Sequence, residues 1–369
     1  MLCENCTKGF KLDGTPEGSV IDEYAAYYHP ASTDGPTPTA IVILTDIFGL
    51  ALNNPKILAD EYSKALGVDV WVPDLFNGKP PVSVADLDPY IAVVPGQKMP
   101  LSNRLKYVSV MVRSLPKLLP IRPGSGVPDK RLETFVQKVK KDKKYSAIGA
   151  IGFCFGGGLA IRAAQTDLVQ SVVIAHPGTN VGLADISKIK VPNAWLCAEE
   201  DFTFSVAQRK AAEQHMASRK GKPNFVEYEF HIYEGTTHGF ATRPALQHPK
   251  VKEGFEKSVA ATIAFFDKTI VNKPVKPATT ATTTEAPAPT ALVGAPKAAA
   301  EPAAATATAA STAPAVVASG AVGGAAADAH AAPAHADAAA GAHDAGAGGH
   351  DGVAAAAGDG GAGGDGGGE

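Results

Sequence analysis

Apolar residues along this chain gather in short unbroken runs, and segments with helical spacing separate them. AIVILTD (Ala40–Asp46), VDVWVP (Val68–Pro73), SAIGAIG (Ser146–Gly152), VQSVVIA (Val169–Ala175) and NAWLCAEED (Asn193–Asp201) are apolar and rich in β-branched residues. Runs of that length without polar alternation predict strands buried on both faces. Tyr24–His29 reads as a short early strand, and Phe225–Tyr233 alternates as a strand with one wetter face. Between them, Lys56–Leu66, Asn103–Leu115, Arg131–Lys141, the segment after Gly156, Val206–Ser218 and Gly254–Ile270 carry helical spacing, and Gly67 is placed to cap the first. Strands that alternate with helices predict an α/β fold, a mostly parallel central sheet covered by helices on both faces. Ligands bind such sheets at the carboxyl ends of the strands. The residues just after each strand are therefore the ones to inspect.

Composition divides the chain. From Val271 to Glu369 it is dominated by Ala, Gly, Pro and Thr and has no Phe, Tyr or Trp. Such a segment buries too little apolar surface to offset the entropy of ordering it. The expectation is one α/β domain over residues 1–271 and a disordered tail over 272–369. The tail holds three lysines and nine acidic residues of the chain's 34 basic and 37 acidic side chains, which leaves the remainder at a net charge of +3. That balance gives no basic footprint for nucleic acid and no polybasic membrane patch. Four cysteines in 369 residues are no disulfide framework. The opening MLCENCTKGF lacks a secretory pattern, and no apolar run reaches spanning length. A cytoplasmic protein is expected; monomer and dimer stay equally open.

GFCFGGG (Gly152–Gly158) follows the third buried run. Gly152, Cys154 and Gly156 spell G-x-C-x-G, the thiol version of the strand-to-helix nucleophile elbow. In that turn the glycines clear space around the nucleophile, and the helix N-terminus beneath it favours a thiolate. The competing reading is a buried thiol in a packing turn. A nucleophile needs a base and a group to orient it. Asp201 ends the run NAWLCAEED, and His238 lies in EGTTHGFATR, just after Phe225–Tyr233. The order nucleophile, acid, histidine is that of α/β-hydrolases. Asp201 could instead cap the helix that follows, and Glu199 and Glu200 are rival carboxylates. An oxyanion hole needs two backbone N–H groups. Phe155, next after the cysteine, and Ile47, in the loop after Ala40–Asp46, are the expected donors.

With these residues in place, the chain resembles the dienelactone hydrolase family, fungal members in particular. The resemblance rests on the cysteine elbow, LTDIFGL (Leu44–Leu50), VPDLFNG (Val72–Gly78), EEDFTF (Glu200–Phe204), EGTTHGFATR (Glu234–Arg243) and the opening Cys3–Gly18 with CENC and DGTPEG. It covers most of residues 1–270 and leaves the tail outside. It implies an α/β-hydrolase fold, a Cys154–Asp201–His238 triad, a thioester acyl-enzyme, and a small lactone or carboxylic ester as substrate, with no metal or cofactor. It also implies that Asp46, at the place of a first-loop glutamate, assists the nucleophile, with binding of loop N–H groups as its alternative. Arg243 is the implied anchor for a substrate carboxylate.

Other signals are weaker. Cys3 and Cys6 form C-x-x-C without a second pair, Cys197 sits inside a strand pattern, and His176 follows a strand end. The tail histidines lack fixed geometry for a metal. A class I glutamine amidotransferase also uses a cysteine elbow, but it expects H-x-E, which is absent here. A catalytically weak binding protein on the same fold is the alternative from a different class.

Overall fold

The computed structural model describes residues 11–32, 35, 37–178 and 181–272. The expected tail, Cys3 and Cys6 lie outside the described residues. Eight strands form one sheet in the order β1-β2-β4-β3-β5-β6-β7-β8. These are β1 (Ser19–Ile21), β2 (Ala26–His29), β3 (Thr39–Leu44), β4 (Asp69–Pro73), β5 (Ala147–Phe153), β6 (Ser171–Ala175), β7 (Asn193–Glu200) and β8 (Tyr228–Thr237). β1 and β2 enter antiparallel, and every pairing from β4 through to β8 is parallel. This is the α/β-hydrolase fold expected from the sequence.

The buried runs are apolar throughout because each strand feeds two cores. Val42, Leu44, Trp71, Ile148, Ala150, Val172, Ile174 and Trp195 pack on one face with Leu132, Val136, Leu159 and Ala212. Ile41, Ile43, Val70, Val72, Ile151, Phe153, Val173 and Leu196 pack on the other with Leu58, Tyr62, Phe255 and Phe265. Successive side chains point to opposite faces, so both sets are read from the same strands at a period of two. The covering helices are α1 (Asn54–Leu66), α2 (Leu101–Leu118), α3 (Val127–Lys143), α4 (Phe155–Ala163), α5 (Val206–Ala217) and α6 (Pro249–Phe266). Gly67 closes α1 at φ 63°, as expected. Ser205 caps α5 through a reciprocal capping box with Gln208.

Two features of the sheet aim residues at one rim. The chain leaves β3 outward to β4 and returns to β5, so the loops after β3 and β5 diverge beside each other and open a crevice. Between β7 and β8 the register slips: Ala198 faces Tyr233, but Glu200 faces Thr237. β8 thus carries two extra residues before Thr237, a bulge of the kind that re-aims a strand end. The Glu199 carboxylate accepts the Gly235 N–H at 2.7 Å and ties the bulge down.

The turn from β5 into α4 works only if backbone meets backbone. A Cβ on Gly152 would sit 2.0 Å from the Gly156 carbonyl oxygen, and one on Gly156 would sit 2.1 Å from that of Leu44. Gly158, two residues further, has only the Arg162 guanidinium nearby, at 3.7 Å. Gly156→Ala is therefore expected to lower stability by more than about 2 kcal/mol in denaturant unfolding. Gly158→Ala is expected to stay near the parent; equal losses at both sites would contradict this packing.

Candidate active site

Cys154 stands at the tip of that turn with φ 52° and ψ −112°, a backbone state that non-glycine residues rarely hold. Hydrogen bonds fix it there. Its N–H donates to the Ala175 carbonyl at 3.2 Å, and its carbonyl accepts from Gly157 at 2.9 Å and from Gly178 at 2.7 Å. The thiol is partly exposed at the N-terminus of α4. Cys197, by contrast, is buried in the core, and burial pushes its thiol up to about 12.

His238 leaves the end of β8 and is buried. Its Nδ1 lies 3.0 Å from each oxygen of the Asp201 carboxylate. Asp201 also accepts from Thr203 N–H at 2.8 Å and Phe204 N–H at 3.2 Å, so it shapes the turn before α5 while it faces the imidazole. Asp201 does not cap α5, whose N-cap is Ser205; its carboxylate binds the turn just before it. Its rivals are occupied elsewhere: Glu199 on Gly235 N–H and Glu200 on Gly96 N–H. The Thr203 hydroxyl sits 2.7 Å from Asp201 Oδ1, 2.8 Å from the Pro177 carbonyl and 3.0 Å from His238 Nδ1.

Charge links the three groups. Burial opposes a charged His238, but the thiolate form of Cys154, the Asp201 carboxylate and hydrogen bonds to both raise its pKa to about 10. Burial likewise opposes a charged Asp201, yet the imidazolium and the hydrogen bonds from His238 and Thr203 hold its carboxyl below the usual range. Cys154, Asp201 and His238, from three separate strand ends, therefore meet at one rim.

The other expected residues surround them. Ile47 and Phe155 both line a cavity of about 240 Å³ at Cys154 and His238. The Phe155 amide opens α4, where an N–H has no intrahelical acceptor. Asp46, open between assisting the thiol and binding loop N–H groups, accepts the loop Phe48 N–H at 3.0 Å and the Arg243 Nε–H at 2.9 Å. That ion pair is almost wholly buried, and the Arg243 guanidinium lies 4.7 Å from the Phe48 ring centre. Arg243 still reaches the cavity wall.

The remaining walls are mostly apolar and carry no sequence signal of their own: Leu87, Tyr107, Met111, Ile121 and the exposed Phe202, whose ring centre is 4.9 Å from that of His238, with Arg162 and Thr203 as the polar exceptions. His176 does not line this cavity. It is fully buried with its ring edge-on to His238 at 5.0 Å, and burial holds it well below the usual imidazole range, hence neutral. A larger groove of about 610 Å³ beside α3 and α4 is lined by Asp129 and Arg162 and holds no thiol or histidine. Among the described residues no group of three or more His, Cys, Asp or Glu is placed to hold a metal ion, and no helix is long and apolar enough to cross a membrane.

The sequence profile of the dienelactone hydrolase family matches residues 25–270. The hydrolase tropI of Talaromyces stipitatus is 26% identical over 274 residues, which cover 73% of this chain and 96% of that one. The carboxymethylenebutenolidase homolog of Mus musculus is 25% identical, covering 64% of this chain and 85% of its own. The crystal structure of dienelactone hydrolase from Anabaena variabilis superposes with a TM-score of 0.43 at 13% identity, over 65% of this chain and 89% of that one. The family profile spans the sheet from β2 to the end of the helical layer and includes every residue of the rim: this chain belongs to the dienelactone hydrolase family and is a hydrolase acting on lactones or esters.

Proposed function

We propose that the chain hydrolyses small lactones or carboxylic esters through a thioester acyl-enzyme on Cys154. The observation that carries this reading is the position of the His238 ring, which faces the Asp201 carboxylate through Nδ1 and lines the same cavity as Cys154. Since Nδ1 faces the carboxylate, Nε2 is the ring atom left for proton transfer.

The Cys154 sulfur attacks the ester carbonyl, and the amides of Ile47 and Phe155 hold the resulting oxyanion. Donors of this kind typically contribute about two to three orders of magnitude each in rate. The carbon–oxygen bond to the leaving group then breaks, and the departing alkoxide takes the proton from the His238 imidazolium. In a lactone that alcohol stays tethered to the acyl group. Water next attacks the thioester and gives a proton to His238, and the carbon–sulfur bond breaks to release the acid and the thiolate. Asp201 keeps the ring in the tautomer and orientation these transfers need. No metal or cofactor enters the sequence.

Asp46 acts in this scheme through Arg243, holding its guanidinium at the cavity edge, and through Phe48 N–H, fixing the loop that bears Ile47. Arg243 offers the substrate a cationic edge in a mostly apolar cavity whose other arginine, Arg162, is paired with Asp129, an arrangement suited to a small ester or lactone with an acidic or polar substituent.

Cys154→Ala is expected to lower kcat/KM for an aryl ester by at least about a thousandfold, with folding unchanged. Equal turnover by both proteins would remove the nucleophile. Absence of turnover across a lactone and ester panel that includes dienelactone would favour a binding role.

The charge coupling predicts a pH dependence. The His238 pKa in the folded protein lies above its ordinary value near 6.5, so its stabilisation is complete below that value and is lost as pH rises through about 10. The His238 ring resonance is expected to titrate near pH 10, and at lower pH in Cys154→Ala, where the thiolate charge is gone. An unchanged midpoint in that variant would contradict the coupling.

A further inference from the structure

The outer face of α2 carries an apolar seam that the catalytic scheme does not use. Leu101, Leu105, Val108, Val112 and Leu115, with Leu119 just beyond the helix end, are all between 45% and 70% exposed. Their spacing alternates between four and three residues, the pattern of a seam that packs against another helix. The order Leu-Leu-Val-Val-Leu-Leu, and the spacings between its members, read the same from either end. A two-fold interface demands that symmetry, since each residue must suit its mate and the mate must suit it in return.

We propose that α2 is a dimer interface, pairing antiparallel with α2 of a second copy about an axis level with Val110. Leu101 then meets Leu119 of the second copy, Leu105 meets Leu115, and Val108 meets Val112. Six side chains at these exposures present roughly 600 Å² of apolar surface, at the top of what a monomer leaves bare in one patch. With the flanking Ser102, Arg104, Ser109 and Pro116 the contact approaches the roughly 800 Å² per partner of a stable interface.

Charge fits this occupant. In the antiparallel register the flanks bring Ser109 to Ser109, Met111 to Met111, Ser102 to Pro116 and Arg104 to Leu118, so no like charges face each other. α2 contains no acidic residue, and its other cations, Lys106, Arg113 and Lys117, lie roughly 120–160° around the helix from the seam at 100° per residue. That offset favours a second copy over an anionic lipid surface, from which a seam lying flat would turn the cations away. On its inner side α2 contributes Tyr107 and Met111 to the cavity at Cys154, so the pairing also braces a wall of the active site.

Sedimentation equilibrium of the full chain at micromolar concentrations is expected to give twice the 37.8 kDa chain mass. The Val108→Glu/Val112→Glu double variant is expected to give the single-chain mass with an unchanged circular-dichroism spectrum. A second arm does not depend on that variant folding. Ser109→Cys, treated with a short bismaleimide, is expected to yield a covalent dimer; Ser102→Cys, whose thiols would stand about 20 Å apart along the helices, is expected not to. A monomeric parent protein overturns the proposal, as does a dimer that survives both glutamates or crosslinks equally at 102 and 109. A monomer that floats with anionic vesicles also overturns it and assigns the face to lipid.

Discussion

The active-site rim depends on holding one residue, Cys154, in a backbone state it would not choose. A non-glycine residue at φ 52° and ψ −112° carries strain of about 1–3 kcal/mol. Three neighbouring segments oppose its relaxation: β6 accepts its N–H, the first turn of α4 binds its carbonyl, and Gly178 binds that carbonyl from the far side. Gly156 N–H reaches across to the Thr45 carbonyl at 3.1 Å and locks the turn against the end of β3. The same bond holds together the two loops that bear Phe155 and Ile47. Cys154 and the proposed oxyanion donors are thus set by one patch of backbone geometry, in which Gly152 and Gly156 leave no room for a side chain.

The second constraint is electrostatic. Asp201 and His238 are both buried, and each favours the charged form of the other, with Cys154 adding to the effect on His238 and Thr203 to that on Asp201. Burial by itself would neutralise the imidazole, as it does for His176 a ring's width away. The difference lies in partners. His238 has the carboxylate and the thiol, whereas neither ring nitrogen of His176 has a hydrogen-bond partner. A neutral ring edge-on to His238 packs it without competing for its proton.

Much of this was legible in the sequence because the strongest signals are local. A strand buried on both faces is an unbroken apolar run, so β3, β4, β5, β6 and β7 lie within a residue or two of their expected bounds. The elbow is legible because its glycines stand two residues either side of the cysteine, although only the Gly152 contact is local and Gly156 answers to the distant Leu44 carbonyl. β1 was missed: three mostly exposed residues leave no apolar signature. β8 outlasts its alternating pattern because the bulge at Glu234–Thr236 interrupts the period before the strand rejoins β7 at Thr237. The Asp46–Arg243 pair joins positions 197 apart and has no local signal at all. Thr203 gives no signal although it stands two residues after Asp201, since a threonine in a turn reads as turn chemistry until its neighbours are known. The seam on α2 was hidden differently: its spacing predicted a helix correctly, and only the fold reveals that the apolar stripe faces outward.

The central claim is that the Cys154 sulfur becomes covalently acylated during turnover. Rapid acid quench with an aryl ester, followed by peptide mass analysis, tests it directly. The expected result is a mass increase of one acyl group on the peptide containing Cys154, removed by hydroxylamine and absent in Cys154→Ala. Turnover with the acyl group on another residue, or with none formed on any time scale faster than product release, would contradict it.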